Sequence, residues 1–179
     1  TAAIANRGFY ISPHIVRSVG DPPVTEQRFT AKHKIDIDSM NFEYIINGMD
    51  QAVNGGGTGT IAALNDIVIC GKTGTAQNPH GEDHSVFIAF APKYDPEIAI
   101  AVYVENAGFG ATYAAPIASL MIEKYLYRIV KRTLIEENMK NAIRKTALKL
   151  GAVFCAVLVL LVGIALPVSA DNTKSPATF

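Results

Sequence analysis

The sequence predicts an α+β (α/β) domain in which one antiparallel sheet is flanked by helices, with a separate hydrophobic helix after it. Three observations carry this expectation. Three strand-like runs follow one another across short links, two segments with helical periodicity bracket them, and a long uncharged run at 150–170 stands apart from both. The chain has 179 residues, 49% of them apolar, enough for one hydrophobic core. Lys plus Arg and Asp plus Glu number 16 each, and the basic residues stay scattered until about position 131, which argues against a nucleic-acid partner. Cys70 and Cys155 lie far apart in apolar runs, so neither a disulfide nor a metal set is expected, and no cofactor is implied.

Residues 1–6 read as the last turn of a helix, with Gly8 at the position a left-handed cap prefers. No start signal precedes that turn, so the chain is expected to open in mid-domain and to be the C-terminal portion of something larger. An extended stretch is expected over 11–19, closed by Asp21-Pro22-Pro23. From Asp38 or Ser39 as cap a helix follows, with Phe42, Ile45, Ile46, Met49 and Val53 on its buried face and Asn54-Gly55-Gly56-Gly57 as its exit. Strands are expected at 67–75, 85–91 and 98–105. Their links are too short for parallel crossovers, so the neighbours must be antiparallel. Apolar residues on both faces of the second and third strands call for cover on both sides. A final helix over 112–132 has Pro116 in its first turn and Ile117, Leu120, Met121, Tyr125 and Ile129 as its apolar stripe.

The informative stretch is Gly71-Lys72-Thr73-Gly74-Thr75. A phosphate-binding loop of the form G-x-x-x-x-G-K-[ST] would need glycine where Asp66 stands and a Gly-rich loop where 67–70 is an apolar strand, so nucleotide binding is disfavoured. Read as K-T-G on a strand, the same residues match the motif of serine β-lactamases and penicillin-binding proteins. The match continues through Gly56-Gly57-Thr58, Ala76-Gln77-Asn78-Pro79, Asp83-His84-Ser85-Val86-Phe87 and Phe90-Ala91-Pro92. Over residues 1–138 the chain resembles a class B penicillin-binding protein of the elongation type, penicillin-binding protein 2, with Val86 where many such proteins have tryptophan.

That resemblance implies the serine β-lactamase and transpeptidase fold, and acyl transfer from a D-alanyl-D-alanine stem peptide of peptidoglycan, or from the β-lactam that mimics it. It implies that Lys72 and Thr73 support catalysis and carboxylate recognition, while Gly74 and Thr75 bind substrate. The Thr75 N–H would be one oxyanion donor. Gln77 and Asn78 read as turn residues, His84 as a structural residue at the strand entry, and Gly108 to Gly110 as a passage into the last helix. The family's S-x-x-K and S-x-N lie upstream of K-T-G, and neither is expected here: the third residues after Ser12, Ser18 and Ser39 are Ile15, Asp21 and Phe42. Alone, the chain is therefore expected to lack a nucleophile. The parent would act on the extracytoplasmic side of a bacterial cell membrane. The alternative is a non-catalytic β-lactam sensor or a membrane-tethered interaction fragment.

Residues 139–170 form a second unit, and 171–179 a polar tail. Lys140, Arg144, Lys145 and Lys149 precede an apolar run, and Pro167-Val168-Ser169-Ala170 precedes Asp171, the layout of a secretory signal peptide. A membrane span over 150–168 would leave those cations outside, against the positive-inside tendency. The sequence thus favours an in-frame junction with a second exported protein, with membrane contact through a C-terminal anchor at 150–168 as runner-up. Residues 139–179 placed ahead of a reporter should direct export and cleavage near Ala170; a retained, uncut product would overturn the signal-peptide reading.

Overall fold

The computed structural model describes residues 1–16, 18–21, 24–128 and 157–160. A first turn of helix, α1 (Ala2–Ala5), leads into strand β1 (Phe9–Ile11), which pairs antiparallel with β2 (Lys32–Lys34) in a register that sets Tyr10 against His33. The strand expected over 11–19 is therefore shorter and earlier. Its partner lies about twenty residues away in sequence, so local alternation could not reveal where the pairing stops. Arg7 and Gly8 both take positive φ, at 53° and 114°, and turn the chain out of α1 as the glycine suggested.

Helix α2 (Ser39–Asn54) starts where expected, with the Asp38 carboxylate accepting from the Met40 N–H at 2.9 Å. Phe42, Ile46, Met49 and Val53 are buried, while Ile45 points outward, because their alternating four- and three-residue spacing already fills the narrow face the sheet can cover. The main sheet has the order β3 (Cys70–Ala76), β4 (His84–Ala91), β5 (Ile98–Val104) and β6 (Val157–Leu160), all neighbours antiparallel. Residues 67–69 precede the first of these strands and do not belong to it, although Ile69 is fully buried. Helix α3 (Ala114–Tyr127) follows β5.

Alternation divides the core into two layers. Phe87, Ala89, Ala91, Ile98, Ile100, Val102 and Val104 face α3, whereas Cys70, Phe90 and Ala99 face α1 and α2. Each fully buried Phe or Ile contributes on the order of 1.5–3 kcal/mol, so the two faces together anchor the sheet. The contact face of α3 bears out part of the expected stripe and widens it. Leu120 is buried and Ile117 and Met121 pack on the core, Ala115, Ala118, Ser119 and Ile122 are buried as well, Tyr125 is exposed, and Ile129 lies outside the described residues. Alanine carries little weight in a hydrophobicity count, yet its small side chain is what lets the helix backbone sit close to the sheet.

The apolar segment expected as a helix over 150–168 lies outside the described residues except at Val157–Leu160. There it is a strand against Ala101–Val104, a role its Val and Leu residues suit. No helix among the described residues is long and apolar enough to cross a membrane.

One ion pair ties α2 to the link after β4. Lys93 Nζ donates to Asp50 Oδ2 at 2.8 Å and to Asn47 Oδ1 at 2.9 Å, and the two charged side chains are only 10% and 20% exposed. The hydrogen bond from Lys93 holds the Asp50 carboxyl below its ordinary value, and the same bond raises Lys93. A depressed carboxylate stabilises the fold above its unfolded-state pKa and loses that contribution as pH falls through the folded value. Asp50→Asn should therefore flatten the acid limb of a stability-against-pH curve below the ordinary carboxylate range, and Lys93→Met should cost about 1–3 kcal/mol in urea denaturation at neutral pH. An unchanged acid limb in Asp50→Asn would show the pair to be inert.

Candidate functional site

Strand β3 is terminal in its sheet, and the Lys-Thr-Gly-Thr run occupies its middle. Cys70 and Gly71 are buried, Lys72 and Thr75 are exposed, and Thr73 and Gly74 are partly covered. The four residues singled out from the sequence thus lie together on one accessible strand. Thr73 pairs with Phe87 and shares its face with Gly71 and Thr75, while Lys72 and Gly74 point to the face of α2.

Lys72 Nζ donates to the Thr73 carbonyl at 2.7 Å. A carbonyl that accepts from an exposed lysine is accessible from solvent, consistent with its facing the edge away from β4. Because N–H and C=O groups of alternate residues point to the same edge of a strand, the N–H of Thr75 faces the open side as well. The edge offers a cation, backbone donors and acceptors, and two hydroxyls within four consecutive residues. Chemically, such a row can pair with an extended chain and attract an anion, and an extended strand is not the αR-αL turn that forms a phosphate nest.

Three devices hold the bare strand in place. At its start, Asn54 Nδ2 at the end of α2 donates to the Ile69 carbonyl at 2.9 Å and to Asp50 Oδ1 at 2.8 Å. At its middle, Gly71 lies against the Phe87 ring, and Gly110 lies on the backbone of the Gly74 and Val86 pair: a Cβ at Gly110 would sit 2.5 Å from the Gly74 carbonyl oxygen and 3.0 Å from its nitrogen. Gly110 is thus more than a passage into the last helix. The third device lies at the far end, where Asp83 accepts from the Asn78 N–H at 3.1 Å, Asn78 Nδ2 reaches Asn106 Oδ1 at 2.6 Å, and His84 Nδ1 accepts from the Asn106 N–H at 3.1 Å. Asn78 is a turn residue and His84 a structural one, as their positions suggested.

Sequence reasoning assigned no role to Thr58. Its hydroxyl lies 2.7 Å from that of Thr73. The chain reaches it by wrapping from the α2 face round the edge of β3 through Gly56, at a φ of 84°, and Gly57, whose missing side chain lets it press on the Ala52 backbone. A further correction concerns the letters S-x-N, which do occur, at Ser39-Met40-Asn41. They form the first turn of α2, at the opposite end of that helix from the Asn54 that touches β3. A groove of about 270 Å³ lies between α1, β1 and β5, lined by Tyr10, Ile11 and Ala99 among others, and does not border the Lys72 edge.

A sheet between helical layers with Lys-Thr-Gly on its open margin defines the class of penicillin-recognising serine transferases and hydrolases. Within that class, the transpeptidase domain of penicillin-binding proteins matches residues 1–123, and the chain belongs to that family. It is 31% identical over 146 residues to the peptidoglycan D,D-transpeptidase MrdA of Haemophilus influenzae, covering 70% of this chain and 22% of that protein. Similarity to the PbpA transpeptidase of Mycobacterium tuberculosis is 31% over 144 residues, with 70% and 27% covered. Among solved structures, the PBP2 of Pseudomonas aeruginosa in complex with WCK 5153 aligns with a TM-score of 0.60 at 34% identity, over 70% of this chain and 28% of that one. Penicillin-binding protein A of M. tuberculosis, solved as a ceftriaxone acyl-enzyme, aligns at 0.59 and 29% identity over 69% and 30%. The chain spans about a quarter of the length of these relatives.

The packing of Gly110 gives a direct check. Gly110→Ala must push the β3 and β4 backbones and should cost about 1–3 kcal/mol, whereas Gly48→Ala, in open space on α2, should gain about 0.5–1 kcal/mol. Equal stabilities of the two variants in chemical denaturation would refute the close approach.

Proposed function

We infer that this chain supplies the substrate-gripping wall of a peptidoglycan D,D-transpeptidase, with Lys72, Thr73, Gly74 and Thr75 receiving the D-alanyl-D-alanine end of a stem peptide or a β-lactam. The observation that carries this reading is the edge of β3 that no other strand among the described residues covers, where an exposed cation and two threonine hydroxyls lie within four consecutive residues. A terminal carboxylate is acceptor-only and needs donors on more than one side. Lys72 gives charge, Thr73 and Thr75 give O–H donors, and the absence of a side chain at Gly74 lets an extended peptide lie along the strand. The Thr75 N–H faces the same side, in place to donate to the oxyanion of a tetrahedral intermediate; in hydrolases such a donor is worth roughly 2.7–4 kcal/mol.

The step itself needs an activated serine, which attacks the amide carbonyl, expels D-alanine and forms an ester. Residues outside this chain must bring it, so the chain alone recognises and does not react. Cross-linking of stem peptides on the outer side of the bacterial cytoplasmic membrane is the activity of the complete domain under this reading. Residues 150–168 would give it a membrane contact only when Val157–Leu160 leaves β5, because the same residues cannot be both a sheet strand and a lipid-embedded segment.

The isotope-labelled chain titrated with N-acetyl-D-alanyl-D-alanine should show amide shifts centred on residues 72–75, and Lys72→Gln should weaken that binding several-fold. Fluorescent penicillin should leave no band after denaturation. Shifts centred elsewhere, or none at tens of millimolar dipeptide, would sink the reading, and a covalent penicillin band would refute the assignment of the nucleophile to other residues.

A further inference from the structure

The Thr58 and Thr73 hydroxyls stand 2.7 Å apart, a full-strength O–H···O distance, and one proton lies between the two oxygens. Two arrangements satisfy that geometry. If Thr73 donates to Thr58, Thr73 turns only lone pairs toward the open edge. If Thr58 donates to Thr73, the Thr73 proton is free to point outward. A carboxylate at the edge accepts and cannot donate, so it is compatible with the second arrangement alone. We propose that Thr58 is a positioning residue for carboxylate recognition: its hydroxyl donates to Thr73 and thereby commits the Thr73 proton to the anion.

Thr58 is placed by the fold and does not hang on a free loop. Immediately after it, the Gly59 N–H donates to the Ala52 carbonyl at 2.8 Å, Gly59 is buried against Val53 and Phe87, and Gly57 touches the Ala52 backbone. Phe87 is also the cross-strand partner of Thr73. One buried ring thus sets both ends of the hydroxyl pair. The pair is exposed, so water competes for it in the free chain; a bound carboxylate that displaces this water selects the order Thr58 O–H to Thr73 O–H to carboxylate. On the opposite face of the strand Lys72 supplies charge without directionality, so the two residues divide the work: Lys72 attracts an anion, and Thr58 satisfies the Thr73 oxygen when the Thr73 proton turns to that anion.

The inference builds on the carboxylate-gripping role proposed for β3, and the test separates the two. Affinities for N-acetyl-D-alanyl-D-alanine and for its C-terminal carboxamide are measured by amide-shift titration of the full chain, in wild type, Thr58→Val, Thr58→Ser and Lys72→Gln. The carboxamide carries both donors and an acceptor and can meet Thr73 in either orientation. Thr58→Val should weaken carboxylate binding about three- to ten-fold, the worth of one hydrogen bond, with little change for the carboxamide, and Thr58→Ser should restore the wild-type ratio. If Thr58→Val loses its dispersed spectrum, the same ratio is read from Thr58→Ala against Thr58→Ser. A wild-type ratio in the variant lacking the hydroxyl, or an equal loss for both ligands, overturns the role of Thr58 while a Lys72→Gln defect leaves the wall itself standing. No carboxylate preference in wild type and none lost in Lys72→Gln would bring down both.

Discussion

A strand with one paired edge and one bare edge holds its shape only if something other than the ladder keeps it flat, and β3 is in that position. Its donors and acceptors must stay free of protein partners if they are to meet a ligand, yet must stay fixed if the meeting is to have any geometry. The chain resolves this by bracing the strand from its ends and its back: Asn54 at the Ile69 carbonyl, the Asn78, Asp83 and Asn106 network beyond Ala76, and Gly110 on the backbone of Gly74. None of these contacts occupies the open edge. Lys72, whatever it meets at the edge, also discourages the unwanted pairing that an open strand invites, as a lysine on a bare edge does.

The layers behind the strand transmit this bracing. Lys93 pins α2 to the link after β4, and α2 in turn positions Asn54 one turn beyond Asp50. Cys70, at the inner end of β3, belongs to the same packed layer; burial pushes its thiol up to about 12, so at neutral pH it is a neutral core residue with no thiolate character. On the other face, Ser85 Oγ donates to the Phe109 carbonyl at 2.9 Å and accepts from the Ala114 N–H at 3.1 Å, fastening the start of α3 to the strand that backs Thr75.

Much of this was legible before any coordinates. The three central strands and α2 could be placed because period-two and period-3.6 patterns are local properties, and the antiparallel order followed from link lengths alone. What escaped has a common cause. The true extent of β1 depends on Lys32–Lys34, the buried face of α3 on the close approach allowed by Ala115 and Ala118, and the Thr58 to Thr73 contact on a glycine turn that wraps an edge. Each is a long-range pairing or a small-residue effect that periodicity weights at almost nothing. Letters alone do not make a site either: Ser39-Met40-Asn41 spells a family motif that the sequence reading passed over, and it lies in the first turn of α2 next to the Asp38 cap. The candidate residues of β3 were readable for the opposite reason, because Lys72, Thr73, Gly74 and Thr75 are consecutive and a run on one strand needs no long-range pairing to be seen.

Among the described residues, serine hydroxyls that could act as a nucleophile are few. Ser12 Oγ lies 3.1 Å from His33 Nε2, which has the look of a nucleophile and its base. That pair belongs to the small β1–β2 sheet, where His33 stacks on Tyr10 with centroids 5.0 Å apart, and it is exposed, so water competes for every bond that would activate the hydroxyl. Ser85 and Ser119 are buried and already bonded, the latter donating to the Ala62 carbonyl at 2.8 Å. A nucleophile must stand about 3 Å from the carbonyl carbon that the β3 edge would hold, next to the Lys72 ammonium. No serine hydroxyl among the described residues has a recorded bond to Lys72 or to the open edge of β3. The geometry of the β3 edge itself is set by packing within the described residues, through Asn54, the Asn78, Asp83 and Asn106 network and Gly110.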